Sequence, residues 1–141
     1  MISVIKDGVV LQSFTPGKLS VLTVDASDYG LGAVLEQDEK PVIFISRRLS
    51  KSERNYAQTQ KEALAIVWSL ERLHKYLYGL KFVINTDHKP LQYILNPSSS
   101  LQKSTSAMIQ RWAIKLAAYN YEIRYVPGVK IPNADYLTRF S

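Results

Sequence analysis

The sequence predicts an α/β domain in which a five-stranded mixed sheet is flanked by helices, in the order βββαβααβα. Three short runs rich in β-branched residues follow one another near the start of the chain and are separated by turn residues. A long stretch with apolar residues every three or four positions comes next, and another apolar run follows it. Three hairpin strands and a crossover helix to a fourth strand require both antiparallel and parallel pairs in one sheet.

Turn residues and alternation define the five predicted strands. Gly30 and Gly32 bracket the first turn, and residues 38–41 mark the second. Residues 121–125 alternate between apolar and charged side chains, so one face of that strand is expected to be wet. The predicted strands cover residues 21–24, 31–35, 42–45, 80–86 and 121–125.

The main helix carries an apolar stripe between residues 63 and 77, with steps of three and four. Two capping boxes, at 50–53 and 59–62, compete for its start. We expect a short turn from the first box and the main helix from the second. Gly79 is a natural stop for that helix.

The remaining elements follow from proline, serine and apolar spacing. A short helix is expected at 91–95, a second long helix at 108–119 and a closing helix at 134–140. Residues 1–18 lack a clear period and are expected to be a connecting segment. The domain itself is expected to cover residues 19–141.

The composition is that of one globular domain. The chain has 141 residues, of which 46% are hydrophobic and 21% charged, as expected for a single core. It has no cysteine, which excludes disulfides, thiolate metal sites and a cysteine nucleophile. Its apolar runs are far shorter than the roughly 18 residues that a membrane-spanning helix needs, so no membrane partner is expected.

The charge balance favours a polyanionic partner. The chain carries 18 Lys and Arg against 12 Asp and Glu, a formal net charge of +6. A basic surface of this kind attracts nucleic acid, although it would also serve solubility alone. Charge leaves both interpretations open.

Two aspartates end predicted strands. Asp25 ends the first strand on the face of Thr23, and Asp87 ends the fourth strand on the face of Asn85. Each has an ordinary alternative, because Asp25 suits a turn and Asp87 suits the N-cap of the helix after Pro90.

Two further acids lie on predicted helices. Glu62 points with the apolar stripe toward the sheet, where burial of a carboxylate is costly unless a cation meets it. Its alternative is the last position of the capping box that begins at Thr59. Asp135 stands near the start of the closing helix, where the helix dipole alone would explain it.

Together these acids predict a metal site. Neighbouring strands lie about 4.8 Å apart, so Asp25 and Asp87 converge if their strands are adjacent. Like charges at that distance repel unless a cation lies between them. Oxygen ligands favour magnesium or manganese over zinc, and two such ions about 3.5–4 Å apart serve phosphodiester cleavage.

Five stretches carry a resemblance to a known family. They are residues 24–37 (VDASDYGLGAVLEQ), 46–68 (SRRLSKSERNYAQTQKEALAIVW), 76–91 (YLYGLKFVINTDHKPL), 111–128 (RWAIKLAAYNYEIRYVPG) and 133–139 (NADYLTR). In this order, over residues 9–140, the chain closely resembles the ribonuclease H domain of Ty3/gypsy-type LTR-retrotransposon reverse transcriptases. The metal-binding acids of that family fall on Asp25, Glu62, Asp87 and Asp135.

The resemblance implies a ribonuclease H-like fold and a specific reaction. The domain would cut the RNA strand of an RNA–DNA hybrid and leave 5′-phosphate and 3′-hydroxyl ends. Two Mg²⁺ ions would be the cofactors, with Mn²⁺ as a substitute. The domain would come from a pol polyprotein of a cytoplasmic virus-like particle, downstream of the polymerase and upstream of an integrase. Residues 1–18 would then be the tail of the reverse transcriptase, and pairing with a second copy stays open.

The chain departs from the family pattern at a few positions. Gln60 stands where the family often has Glu, and Thr138 where it usually has Ser. Many cellular relatives carry a histidine in the loop before the last acid, whereas residues 126–133 contain none. Slow turnover is therefore expected, and we assign His88 a structural or substrate-contacting role.

Candidate substrate contacts surround the acids. Basic residues for the phosphates and small or polar residues for the minor groove are both present, although each basic residue would also serve as a solvated surface charge. The candidates are Arg47, Arg48, Lys51, Arg54, Lys89 and Arg139 for phosphates, and Ser27, Tyr29 and residues 58–60 (including Gln60) for the groove; His88 is a further substrate-binding candidate.

Two other functions compete with the nuclease. The chain would be a hybrid-binding or dimer-forming module if its parent element had degenerated or been domesticated, but the intact set of four acids argues against this. A polynucleotidyl transferase of the integrase or transposase kind shares the fold. In those enzymes the glutamate comes last along the chain, whereas here it comes second.

Overall fold

The computed structural model describes residues 3–5, 8–96, 106–129 and 131. These residues form one seven-stranded sheet with helices packed against it. The strands are β1 (Ser3–Ile5), β2 (Gly8–Val10), β3 (Ser20–Ala26), β4 (Gly30–Gln37), β5 (Lys40–Arg48), β6 (Lys81–Thr86) and β7 (Asn120–Tyr125). The helices are α1 (Gln58–Arg72), α2 (His74–Leu77), α3 (Leu91–Ile94) and α4 (Ala107–Leu116), with a 3-10 turn at Glu53–Asn55.

The sheet is mixed, as the sequence predicts. Its strand order is β1-β2-β5-β4-β3-β6-β7. Strands β3, β4 and β5 form an antiparallel meander, whereas β6 lies parallel to β3 and β7 lies parallel to β6. All five predicted strands are confirmed.

Two short strands that the sequence did not predict extend the sheet. β2 pairs antiparallel with β5, and Val9 is fully buried there. Gly8 is required at this contact, because a Cβ atom would lie 2.4 Å from the carbonyl oxygen of Phe44. Part of segment 1–18 is therefore continuous with the sheet, and the domain boundary at residue 19 stays a prediction.

The helix starts differ in part from expectation. Ser50 and Glu53 form the predicted capping box, with Ser50 N–H donating to Glu53 Oε1 (2.8 Å) and Glu53 N–H to Ser50 Oγ (3.2 Å). The predicted box at 59–62 is wrong, because α1 begins two residues earlier. There the backbone N–H of Ala57 donates to Gln60 Oε1 (2.9 Å).

The core lies between the sheet and α1. Helix α1 packs against β3, β4 and α4 and buries its apolar stripe, including Ile66 and Leu70. On the opposite face, Val34 and Phe44 form a small cluster with Ile131. None of the helices in the described part of the chain is long and apolar enough to cross a membrane.

The other predicted helices agree with the structure as far as it is described. The short helix and the second long helix are confirmed as α3 and α4. Ser106 caps α4, since its Oγ accepts a hydrogen bond from the N–H of Ile109 (3.2 Å). The predicted closing helix at 134–140 lies outside the described residues.

Candidate active site

The two strand-end aspartates lie level with each other at one edge of the sheet. Strands β3 and β6 are parallel neighbours, and their register pairs Thr23 with Asn85. Extended by two residues, this register aligns Asp25 with Asp87, which is the first residue after β6. Because β3 and β6 are parallel neighbours, both aspartates lie at the same end of the sheet.

Glu62 joins this site from α1. Its residue is only 6% exposed. Gln58 Nε2 donates to Glu62 Oε1 (3.0 Å), and the backbone N–H of Ala26 also hydrogen-bonds to this carboxyl group. Oε2 is buried, and no hydrogen-bond partner for it exists among the described residues.

The electrostatics show that the three acids share one environment. Burial is the main cause that raises the pKa of Glu62 to about 7, and the charges of Asp25 and Asp87 raise it further. Ionisation of a carboxyl group in this position at neutral pH costs free energy unless a cation compensates the charge.

Asp87 also anchors the loop that follows β7. Its Oδ1 accepts a hydrogen bond from the backbone N–H of Gly128 (2.7 Å), and Val126 N–H donates to the carbonyl oxygen of Thr86 (2.8 Å). Asp87 does not cap α3, whose N-cap residue is Pro90. The loop leads toward the fourth predicted acid, Asp135, which lies outside the described residues, as does Arg139.

The donor set fits a hard divalent cation, although it is incomplete in the described ranges. Among residues 3–5, 8–96, 106–129 and 131, no group of three or more Asp, Glu, His or Cys side chains is placed to hold a metal ion. The groups that meet here are carboxyl groups, whose oxygens are the ligands that Mg²⁺ and Mn²⁺ prefer. The unpartnered Oε2 of Glu62 is the atom that a cation would satisfy.

His88 connects the end of β6 to the first turn of α1. Its Nε2 lies 2.8 Å from Thr59 Oγ1, and its backbone N–H donates to Thr86 Oγ1 (3.1 Å). Burial lowers the pKa of His88, and the charge of Asp87 acts in the opposite direction. Thr59, which the sequence predicted to be a helix cap, instead forms a hydrogen bond with His88 and so links α1 to the end of β6.

The groove-reading candidates occupy the turn between β3 and β4 and the start of α1. Ser27 Oγ accepts hydrogen bonds from the N–H groups of Tyr29 (3.2 Å) and Gly30 (3.0 Å), which fixes the turn. Tyr29 is 72% exposed. Gln60 is engaged at the N-terminus of α1 through Ala57.

The basic candidates divide into one paired side chain and several exposed ones. Arg47 binds Glu53 with two hydrogen bonds, Nη1 to Oε1 (2.7 Å) and Nη2 to Oε2 (3.0 Å). The hydrogen bond from Arg47 is the largest of the causes that lower the pKa of Glu53 to about 2. The exposed candidates are Arg48, Lys51, Arg54 and Lys89.

Sequence reasoning missed one charged residue beside the acids. Lys61 is buried, and its Nζ lies 3.6 Å from Oδ1 of Asp28 in the β3–β4 turn. Its position on the inner side of α1 could have been predicted from the sequence, because Lys61 lies one helical turn before Leu64 and Ala65.

Comparison with known families identifies relatives of this chain. A family model described as the RNase H-like domain found in reverse transcriptase matches residues 15–119. The Pol polyprotein of transposon 297 from Drosophila melanogaster is 43% identical over 124 residues, which cover 88% of this chain and 11% of that protein. The Tf2-3 polyprotein of Schizosaccharomyces pombe is 40% identical over 138 residues, or 92% of this chain and 10% of that protein. The chain thus spans about a tenth of the length of these curated relatives.

Solved structures share the fold at low sequence identity. The foamy viral protease-reverse transcriptase in complex with double-stranded DNA matches with a TM-score of 0.67 and 15% identity, over 85% of this chain and 24% of that chain. RNase H1 from the archaeon Halobacterium salinarum matches with a TM-score of 0.63 and 16% identity, over 84% of this chain and 92% of that chain. LC11-RNase H1 in complex with an RNA/DNA hybrid matches with a TM-score of 0.65 over the same shares.

Proposed function

This chain belongs to the family of RNase H-like domains found in reverse transcriptases, and we propose that it hydrolyses the RNA strand of RNA–DNA hybrids with the help of bound divalent metal ions. Its curated relatives are Pol polyproteins of Ty3/gypsy-type transposons. The family supports ribonuclease H function in general. We propose in addition that the reaction depends on divalent metal ions and that individual residues have the roles given below.

The arrangement of Glu62 is the observation that carries the proposal. This carboxyl group is buried beside two other acids, its pKa is raised to about 7, and one of its oxygens has no partner among the described residues. A protein core tolerates such a group poorly unless function requires it. A divalent cation would satisfy the orphaned oxygen and offset the repulsion among the acids.

Four acids would hold two magnesium ions in this proposal, with manganese as a substitute. They are Asp25, Glu62, Asp87 and, from outside the described residues, Asp135. When bound, such ions supply Lewis-acid stabilisation and activation of water for phosphodiester hydrolysis.

The surrounding residues fix the acids for this task. Gln58 orients Glu62 through Oε1, and the N–H of Gly128 orients Asp87 through Oδ1. His88 ties the end of β6 to α1 through Thr59, so the strand and the helix that carry two of the acids keep their spacing.

The substrate would lie across the β3–β4 turn and the start of α1. Ser27 and Tyr29 are exposed there, and we propose that they meet the minor groove and its 2′-hydroxyl groups. The exposed cations Arg48, Lys51 and Arg54 would contact phosphates. Arg47 contributes less than the sequence indicated, because Glu53 already occupies its guanidinium group.

A cleavage assay tests the proposal. The chain is incubated with a labelled RNA–DNA hybrid and either Mg²⁺ or Mn²⁺, and the Asp25→Asn and Glu62→Gln variants are compared with it. We expect cleavage of the RNA strand by the parent chain and a loss of at least about a hundredfold in either variant, because each removes a proposed metal ligand. Glu39→Gln is the matched control, since Glu39 lies in the β4–β5 turn at the opposite edge of the sheet.

The other outcomes of this assay separate the competing functions. Binding of the hybrid without cleavage in either metal would contradict the nuclease and favour a binding module. Joining of strands would favour a transferase. Cleavage that survives both substitutions would remove these two acids from the site.

The relatives support a wider setting for the domain. Because they are polyproteins of which this chain spans about a tenth, we propose that the domain acts next to a polymerase domain of the same polyprotein. A cytoplasmic virus-like particle is the proposed location. A homodimer is a further proposal, which sedimentation of the chain with and without hybrid would test.

A further inference from the structure

Lys61 is a buried cation that the proposed function does not use. Its side chain is only 8% exposed, whereas lysine is rarely buried without a partner. It is the fourth residue of α1, near the helix end whose partial charge is positive, so the helix dipole also disfavours a cation there. Both effects require a compensating interaction.

Asp28 supplies that interaction. Its Oδ1 lies 3.6 Å from the Lys61 ammonium group and forms an ion pair with it. The Asp28 side chain itself is 79% exposed.

The β3–β4 turn is also held by contacts within itself and with the end of β5. Ser27 Oγ binds the N–H groups of the turn, and Leu49 N–H donates to the carbonyl oxygen of Tyr29 (2.8 Å). The Lys61–Asp28 pair links the turn itself to α1, two residues beyond the hydrogen bond from the Ala26 N–H to Glu62. It therefore spans the two elements between which the hybrid is proposed to lie.

We propose that Lys61 is a positioning residue that acts through Asp28. The ion pair holds the β3–β4 turn at a fixed distance from the first half of α1. It determines how well the hybrid is bound rather than how fast it is cleaved. This inference rests on the proposed function, because it requires the hybrid to contact the turn.

Steady-state cleavage of a labelled RNA–DNA hybrid in Mg²⁺ tests the role. We expect Lys61→Met and Asp28→Asn each to raise KM by about two- to fivefold with kcat unchanged, because an ion pair with one exposed partner contributes about that factor. The double variant is expected to have no higher KM than Lys61→Met alone, because the two residues act as one unit. Lys61→Arg is expected to restore most of the affinity.

A second Lys–Asp pair provides the matched control. Lys18 Nζ lies 2.6 Å from Asp38 Oδ2. Lys18 precedes β3 and Asp38 lies in the β4–β5 turn, so this pair is at the opposite edge of the sheet from the acids. Lys18→Met and Asp38→Asn make the same changes of charge and are expected to leave KM as it is.

Several results would overturn the inference. One is a parental KM in both Lys61→Met and Asp28→Asn, and another is an additive double variant. A third is a fall of about one in the salt slope of log KM for Lys61→Met, which would show a direct phosphate contact instead. If Lys61→Met fails to fold, Asp28→Asn alone tests the inference, because Asp28 is exposed and its substitution is expected to leave the fold intact.

Direct binding separates this inference from the proposed function. Hybrid affinity is measured by fluorescence anisotropy in the Glu62→Gln background, with and without Asp28→Asn. A parent chain that does not cleave would contradict the nuclease. Weaker binding by the Asp28→Asn variant would still support the positioning role, and equal binding would contradict it.

Discussion

At the scale of single residues, Arg47 and Glu53 stabilise the chain between β5 and α1, a role that the sequence alone did not indicate for Arg47. Arg47 stands among the basic residues before α1, but its guanidinium group is committed to Glu53 by two hydrogen bonds. Glu53 in turn caps the 3-10 turn through the N–H of Ser50. The two residues therefore fix the path of the chain from β5 into α1, which sets where α1 presents Glu62.

We expect Glu53→Gln to lower the free energy of unfolding by about 1–2 kcal/mol at pH 7, because it removes a charge-assisted, half-buried pair. The pKa of Glu53 is lowered from 4.5 to about 2. Its contribution is therefore fully present above pH 4.5 and is lost as the pH falls toward 2. The difference between parent and variant, measured by urea denaturation, should shrink across that interval.

The exposed Glu122–Arg124 pair gives the matched control for this prediction. Both of its side chains are 55% exposed, so solvent screens the interaction. Glu122→Gln is expected to change the stability less than Glu53→Gln. Equal effects, or a Glu53→Gln effect that persists undiminished at pH 2, would show that the Arg47 pair does not stabilise the fold.

At the scale of elements, the sheet is extended by a strand whose sequence gives little sign of it. β2 has three residues, and its pairing with β5 places Gly8 opposite Ile45. A Cβ atom at position 8 would lie 2.4 Å from the Phe44 carbonyl oxygen and 2.8 Å from Ile45 Cγ2. β2 and β5 can approach this closely only because residue 8 has no side chain.

We expect Gly8→Ala to destabilise the chain by about 1–3 kcal/mol, because backbone atoms must shift to admit the added methyl group. Thermal unfolding measures the effect, and hydrogen exchange at β2 and β5 shows whether the loss is local. Ser13→Ala is the control, since Ser13 is exposed and lies in the same segment. An unchanged melting temperature in Gly8→Ala would mean that β2 does not stabilise the sheet.

The elements also show what the sequence can predict and where it fails. Strands β3 to β7 were predictable, because alternation and turn residues specify strands of five residues or more. The positions of Asp25 and Asp87 at the ends of their strands were predictable for the same reason. β2 is too short for any period to be visible. The start of α1 was misplaced because Ala57 is a poor cap by type, and its N–H is satisfied by Gln60 instead. The burial of Lys61 depends on a turn that is 33 residues earlier in the chain, at Asp28, and no local pattern reports it.

For the whole molecule, charge and topology together define a surface for a polyanion. The net charge is +6, and the exposed cations Arg48, Lys51 and Arg54 gather at and after the end of β5, at the same edge of the sheet as the acids. Lys18, Lys75 and Lys81 lie toward the opposite edge, at the starts of β3 and β6 and on α2. The fold thereby separates residues that would contact phosphate from residues that only add to the overall charge.

This separation predicts which cations determine the salt dependence of hybrid binding. In the Glu62→Gln background, which is expected to bind without cleaving, we expect the triple variant Arg48→Gln, Lys51→Gln, Arg54→Gln to bind more weakly. Its slope of log affinity against log salt should be smaller by roughly two to three, since each phosphate contact contributes about 0.9. The triple variant Lys18→Gln, Lys75→Gln, Lys81→Gln has the same net charge and should keep the slope of its background. Equal losses of slope in the two triples would mean that net charge alone attracts the hybrid and that the edge beside the acids has no special part in binding it.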